Sequence, residues 1–222
     1  MKGECRFCDA PVTEKDIIVF QNENFYLTPT VGSFVDGYLL LNPKKHIFSM
    51  AQLSQEQLAE YWELSKEIAL VQQEVYGVNP IIFEHGAART CQETLHDSVV
   101  HAHTHFTPAE FSKHAQQAML AQGKFQEFDR ENLGQWSEVP YCMFINEDSN
   151  SFITHKSNLP ENLRRQYVRR HLANAIGKGE QFEWREYPFY DTMTRTTAQL
   201  KEPMTKALTR KNYVNGATLQ NV

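Results

Sequence analysis

Val100-His101-Ala102-His103-Thr104-His105-Phe106 places imidazoles at alternate positions. In an extended strand, residues i, i+2 and i+4 project to one face, so the three rings are expected to form a single row. Such a row can bind a metal ion, or it can present a nucleophilic nitrogen flanked by two helpers. The chain has nine histidines in 222 residues, so three with this spacing are not an accident of composition.

Upstream of this stretch, residues 16–20, 24–28 and 38–41 read as strands. Leu39-Leu40-Leu41 lacks alternation, the pattern of a strand covered on both faces. It leads into Asn42-Pro43-Lys44-Lys45-His46. Ser54 and Gln57 form a capping-box pattern. Leu58, Trp62, Ser65, Ile68, Ala69, Gln72 and Val75 or Tyr76 follow near helical spacing, and Gly77 is placed to end the helix. Residues 81–84 and 99–106 are the next two expected strands, and Pro108 opens a short helix through Leu120. Further on, residues 141–145 and 151–155 flank Asn146-Glu147-Asp148-Ser149-Asn150, a hairpin signal. Pro160 begins a helix carrying Leu163, Tyr167, His171 or Leu172, and Ala175 or Ile176, with Gly177-Lys178-Gly179 to stop it. The residues after about Pro203 are polar and read as a loosely held tail. Trp184-Arg185 and residues 192–197 receive no assignment.

A length of 222 residues allows one large domain, or a core domain with a substantial extension. A hydrophobic content of 41% with 22% charged residues is ordinary for a soluble globular protein. The net charge of −5 gives no general attraction to nucleic acid or anionic membrane. No run approaches the roughly 18 apolar residues of a membrane span, and the polar start MKGECRFCDA is unlike a signal peptide. A cytoplasmic protein is therefore expected. Its four cysteines then read as thiols or metal ligands more readily than as disulfides.

Three segments, taken in order, carry a resemblance: CRFC at 5–8, DGYLLLNPKKH at 36–46 and SVVHAHTHF at 98–106. This order resembles the histidine triad (HIT) superfamily of nucleotidyl hydrolases and transferases, particularly its zinc-containing members. The resemblance spans roughly residues 4–110. It departs at Tyr38, where the family usually has histidine, at Thr104, usually hydrophobic, and at His96-Asp97, usually Gly-Gln. The fold it implies is α+β: a HIT-like antiparallel sheet of about five strands flanked by helices, with a C-terminal α/β extension. On that basis residues 1–110 form a catalytic domain, and residues 111–222 add a helix, a hairpin, an amphipathic helix and a polar tail.

The resemblance assigns His103 as the nucleophile and His105 as a donor beside the leaving group or phosphate, with Ser98 contacting phosphate. A neutral imidazole can attack phosphorus, and its unperturbed pKa near ~6.5 leaves it mostly uncharged at neutral pH. The implied activity is nucleotidyl hydrolysis or transfer on a nucleoside polyphosphate, dinucleoside polyphosphate or nucleotide conjugate, through a nucleotidyl-histidine intermediate. The rival is a non-catalytic nucleotide-binding or adaptor protein with a structural zinc. The resemblance also supplies a zinc set of Cys5, Cys8, His46 and His101; two thiolates with two imidazoles suit a closed tetrahedral site. Magnesium is expected only as a companion of the substrate. The expected partner is the nucleotide; no membrane or nucleic-acid partner is indicated, and a homodimer is left open.

Each assignment has a plainer competitor. Three alternate histidines can themselves bind a metal, and Cys5 and Cys8 can be reduced, partly buried thiols. His85 is a further ligand or pocket candidate, although lone histidines more often serve loops. Lys44-Lys45 is expected to face water. Arg164, Arg165, Arg169 and Arg170 are expected on a solvated helix face, since Glu161 and Gln166 interrupt the basic surface.

Overall fold

The computed structural model describes residues 5–88 and 101–210. Among them, eight strands form one sheet in the order β1-β2-β3-β5-β4-β7-β8-β6. The strands are β1 (Phe20–Gln21), β2 (Phe25–Pro29), β3 (Leu39–Pro43), β4 (Ile81–Gly86), β5 (Thr104–Thr107), β6 (Gln126–Glu127), β7 (Tyr141–Ile145) and β8 (Ser151–His155). Every pairing is antiparallel. Five α-helices accompany the sheet: α1 (Arg6–Thr13), α2 (Gln55–Tyr76), α3 (Lys113–Gln122), α4 (Tyr167–Ala175) and α5 (Tyr190–Arg210). The fold is α+β as expected, but the strand count exceeds the expected five. The hairpin β7–β8 does not stand apart: β7 pairs with β4, with Phe83 opposite Phe144 and Ile82 opposite Ile145. An apolar β4 edge left open would be a pairing liability, and the hairpin closes it.

The register sorts side chains into two opposite faces. Leu39, Phe106, Ile82 and Ile145 run across one face, and Leu40, His105, Phe83, Phe144 and Phe152 across the other. The first face packs on Tyr61, Leu64 and Ile68 of α2 and on Leu200, Met204 and Leu208 of α5. The second packs on Met119 of α3 and on Tyr167, Val168 and Leu172 of α4. All five residues of β3 are buried, which accounts for the unbroken Leu39-Leu40-Leu41. One of its two covers comes from beyond residue 111.

Local signals are met unevenly. Ser54 and Gln57 form the capping box and Gly77 ends α2 with φ 75°. Of the expected α2 stripe, Leu58, Ser65, Ile68 and Gln72 are buried, Trp62 and Ala69 partly exposed and Val75 exposed, and the buried face widens to include Tyr61, Leu64 and Val71. It widens because α5 covers α2 from a second side. Residues 15–17 make a 3-10 turn, so the strand expected over 16–20 is reduced to β1. β5 begins only at Thr104, because the Ala102 amide bonds the Ile47 carbonyl in a loop (2.8 Å) instead of continuing a ladder; residues 99 and 100 lie outside the described residues. α3 starts after Ser112, whose hydroxyl accepts from the Ala115 amide, and not at Pro108. Turns occupy residues 161–166, so α4 begins seven residues after Pro160. The tail expected after Pro203 is corrected too: α5 continues to Arg210, with Leu200, Met204 and Leu208 fully buried at i, i+4 and i+8. No helix among the described residues is long and apolar enough to cross a membrane.

Two stability predictions follow from this packing. Leu200→Ala should cost about 2–5 kcal/mol, the range for a buried leucine truncation, read as a shift in denaturant midpoint; a change below about 0.5 kcal/mol would mean α5 is not part of the core. Glu84 on β4 accepts from the Met50 amide (2.8 Å) and from the Tyr141 hydroxyl, and burial raises its pKa from 4.5 to about 7. Its folded pKa is raised, so its contribution is complete below pH 4.5 and is lost as pH rises through 7. Wild type minus Glu84→Gln should therefore show stability falling over that window, by up to about 1.4 kcal/mol per pH unit. Parallel curves for the two proteins would contradict it.

Candidate functional site

Cys5 caps α1 and Cys8 lies in its first turn, where the Cys8 amide bonds the Cys5 carbonyl at 2.9 Å. A Cys-x-x-Cys at a helix start brings both thiols to the same end of the helix. Pro11 lies inside this short helix and cannot donate to Phe7. The orphaned Phe7 carbonyl instead accepts from the Tyr26 hydroxyl on β2 (2.7 Å), which ties α1 to the sheet. The loop after β3 is laced down by the Lys44 amide on the Asn24 carbonyl (2.7 Å) and the Ala87 amide on the Phe48 carbonyl (3.0 Å). It thereby delivers His46.

Cys5, Cys8, His46 and His101 meet here, with all four donor atoms within 4.8 Å of one another. Cys5 Sγ and Cys8 Sγ each lie 3.6 Å from His101 Nδ1, Cys8 Sγ lies 3.2 Å from His46 Nδ1, and the two Nδ1 atoms are 3.4 Å apart. Tetrahedral zinc with bonds near 2.0–2.3 Å sets its ligand atoms about 3.3–3.8 Å apart, so the set fits such an ion. His101 adds a second test. Its Nε2 is 2.8 Å from the Pro43 carbonyl, which can only accept, so Nε2 carries the proton and Nδ1 turns a lone pair toward the cluster. Burial lowers the His101 pKa to about 4, in keeping with a neutral ring.

The other two triad histidines face a cavity. His103 Nδ1 donates to the His101 carbonyl (2.8 Å), which leaves Nε2 as the nitrogen with a free pair. Burial lowers the His103 pKa against that bond, and the ring stays neutral. Phe7 stacks beside His103 (5.4 Å, 18°) and His101 (5.6 Å, 22°). His105 lies flat on Phe83 (4.3 Å, 7°), and its Nδ1 meets the Tyr38 hydroxyl at 2.9 Å. Burial holds the Tyr38 hydroxyl protonated and drives the His105 pKa well down. With Tyr38 donating, His105 Nε2 bears the hydrogen. Tyr38 thus gives its departure from the family pattern a concrete consequence. Thr104 faces the opposite side, where its hydroxyl meets that of Tyr61 (3.0 Å), so a polar residue is tolerated in the core.

The cavity has a volume of about 930 Å³, toward the upper end of small-molecule sites. His85, His103 and His105 line it from the sheet, and Phe7 lines it from α1. Lys156, Arg164, Arg165, Arg169 and Arg185, from the second half of the chain, line it as well. Arg169 is locked, with its guanidinium donating to the Phe182 carbonyl (2.6 Å) and the Gly32 carbonyl while lying over the rings of Phe34 (4.7 Å) and Tyr38 (5.2 Å). Gly32 is required there: its φ is +83°, and a Cβ would collide with Trp184 and Arg169.

Among the residues expected to act, Cys5, Cys8, His46 and His101 converge, and His103 and His105 share the cavity. Ser98 lies outside the described residues. His85 lines the cavity and stays out of the Cys–His cluster; burial, then Lys156, lowers its pKa to about 3. Lys45 is exposed and Lys44 partly so, and neither lines the cavity. The solvated face expected for Arg164, Arg165 and Arg169 is corrected, since all three line the cavity and Arg169 is buried; only Arg170 lies off it, stacked on Phe182 at 4.1 Å. Leu163 and Tyr167, which anchor this segment to the core, were the available signal: arginines between two docked apolar residues are pulled inward with them.

Residues 12–112 match the family model described as the HIT domain. Among solved structures, a HIT family protein from Bacillus subtilis is 20% identical, with 52% of this chain and 86% of that one covered and a TM-score of 0.41. A Zn-bound histidine triad family protein from Mycobacterium smegmatis is 21% identical, covering 60% and 88%, with a TM-score of 0.40. A HIT family hydrolase from Clostridium thermocellum is 16% identical, covering 50% and 94%, with a TM-score of 0.36. No curated protein matches the chain.

The four-donor geometry predicts one tightly held divalent ion per chain. Cobalt(II) added to metal-stripped protein should give the absorption of a tetrahedral thiolate site, lost in Cys5→Ser/Cys8→Ser and kept in His103→Asn. The double variant should also unfold at lower denaturant, because the ion binds only the folded state. Loss of the cobalt spectrum in His103→Asn instead would relocate the ion to the triad row.

Proposed function

We propose that this protein is a nucleotidyl hydrolase or transferase acting on a nucleoside polyphosphate, dinucleoside polyphosphate or nucleotide conjugate, with His103 as the nucleophile. The observation that carries this reading is the bond from His103 Nδ1 to the His101 carbonyl. It fixes the tautomer so that Nε2 of this neutral, cavity-lining ring holds a lone pair. In the first step that pair forms a bond to phosphorus. The bond from phosphorus to the leaving oxygen breaks, and its electron pair departs with the leaving group. The positive charge gained by the ring is shared through Nδ1–H with the His101 carbonyl. A hydrogen on His105 Nε2 supports the leaving or nonbridging oxygen. In the second step water or another acceptor bonds to phosphorus, releases its proton to solvent, and returns the P–N pair to Nε2.

Zinc is the ion we assign to Cys5, Cys8, His46 and His101. Four protein ligands close its shell, so its contribution is structural and no step of the reaction runs through it. It would cross-link α1 to the start of the triad segment and hold Phe7 against His103. His101 thereby belongs to the metal site, His103 and His105 to the reaction.

His103→Ala should lower turnover of a nucleotide substrate by at least about three orders of magnitude, or about 4 kcal/mol. Fold, zinc content and nucleotide binding should stay near wild type, because the lost group acts by bond formation. Brief reaction of wild type followed by acid-free quenching should leave a nucleotidyl mass on the peptide containing His103. Comparable turnover in His103→Ala with zinc retained would exclude the covalent route, and nucleotide binding without turnover in wild type would make the protein a binder.

A further inference from the structure

We infer that Lys156, Arg164, Arg165 and Arg185 form a subsite for a linear polyphosphate chain, which favours substrates with several phosphates on the leaving side. The inference rests on the nucleotidyl-transfer reading of His103, and it adds the substrate feature that the HIT domain itself leaves open. All four side chains lie outside the residues matched to that domain, yet they line the same cavity as His103 and His105.

Charge is the first argument. The protein carries a net charge of −5, while Lys156, Arg164, Arg165 and Arg185 gather at this cavity against two carboxylates, Glu161 in its lining and Glu183 3.5 Å from Arg165. Arg6 and Glu14, which line the cavity elsewhere, pair with one another at 2.6 Å and largely cancel. A concave surface of one sign concentrates ligands of the other. Arg169 is excluded from the subsite because two backbone carbonyls already hold its donors.

Unused hydrogen-bonding capacity is the second. Arg165 Nε and Nη2 are buried without a hydrogen-bond acceptor among the described residues, and its salt-bridge partner Glu183 stands 3.5 Å away. The neighbouring Gln166 lines the cavity with both ends of its amide buried and unpaired, on a backbone with φ 56°. Buried donors left unsatisfied are costly, as is a left-handed backbone at a non-glycine residue. Both recur where a ligand supplies the missing acceptors. A guanidinium fork matches two phosphate oxygens at once, and adjacent phosphates repeat that chance along a chain. The volume of about 930 Å³ leaves room beyond the triad for such a chain.

The test uses the whole zinc-loaded chain of 222 residues with inorganic tripolyphosphate and orthophosphate as calorimetric probes. Tripolyphosphate should bind wild type at least about 100-fold more tightly than orthophosphate, with an affinity that falls as salt rises. Arg165→Gln and Lys156→Gln should each weaken tripolyphosphate binding by about tenfold, the scale of one charge-assisted hydrogen bond. Arg165→Lys should restore part of the loss. On dinucleoside polyphosphates, KM should fall with phosphate number in wild type, and Arg165→Gln should flatten that trend more than it lowers kcat. Probe binding needs no turnover, so the wall is upheld by the first measurement even if no nucleotide is ever cleaved. Should Arg165→Gln fail to fold by its thermal midpoint, Lys156→Gln on the partly exposed wall decides. Equal binding of the two probes, or unchanged tripolyphosphate binding in every folded variant, would overturn the subsite. Single-stranded RNA binding more tightly than tripolyphosphate, and lost in the same variants, would overturn it in favour of a nucleic-acid surface.

Discussion

His101 is held at three points, and the site depends on how those points combine. Its Nε2 donates to the Pro43 carbonyl, its Nδ1 lies among Cys5, Cys8 and His46, and its own carbonyl accepts from His103 Nδ1. The first contact fixes the tautomer that lets the second serve a metal. The third fixes the tautomer of the next histidine along. One residue thus links the metal-fitting cluster to the nitrogen with the free lone pair, through hydrogen bonds whose directions are set because carbonyls only accept.

The sheet imposes the other constraint. Its central strands are apolar on both faces, so covering only the α2 side would leave Leu40, Phe83 and Phe144 in water. α3 and α4 cover that second face, and the turn leading into α4 carries Arg164 and Arg165 with it. Arg164 and Arg165 line the cavity because the same segment has a core to complete. Stability and site shape are coupled at Tyr167 and Leu172, which are fully buried in the core on this face and anchor the arginine-bearing turn. α5 does the parallel task on the other face, where Thr196 also accepts from the Gly37 amide (2.9 Å) and braces the turn before Tyr38.

Much of this was legible in the chain. The strand pair at Tyr141–Ile145 and Ser151–His155 was readable because apolar, β-favouring runs flank an Asn- and Asp-rich loop. The α2 boundaries were readable because Ser54, Gln57 and Gly77 satisfy backbone groups locally. The alternate histidines showed which rings share a face, though not that a loop contact at Ala102 would end the ladder before them. What the sequence hid were outcomes of tertiary packing. The apolar stripe of α5 is narrow, with threonines and lysines around it, so Leu200, Met204 and Leu208 read as isolated until a second helix covers them. Tyr38 shows no sign in sequence of its bond to His105, because the pairing crosses two strands.

The cationic wall and the neutral imidazoles belong to one electrostatic arrangement. Burial does most to keep His85 and His105 uncharged, and the nearby cations Lys156 and Arg169 push in the same direction. Lys156 thus disfavours protonation of His85 and Arg169 that of His105, while burial alone lowers the His103 pKa. A carboxylate-lined cavity would do the reverse, raising imidazole pKa values and repelling phosphate. Lys156 and Arg169 both lie beyond residue 112, where the match to the HIT model ends, while His103 and His105 lie before it, so the later residues set part of the field in which the rings sit.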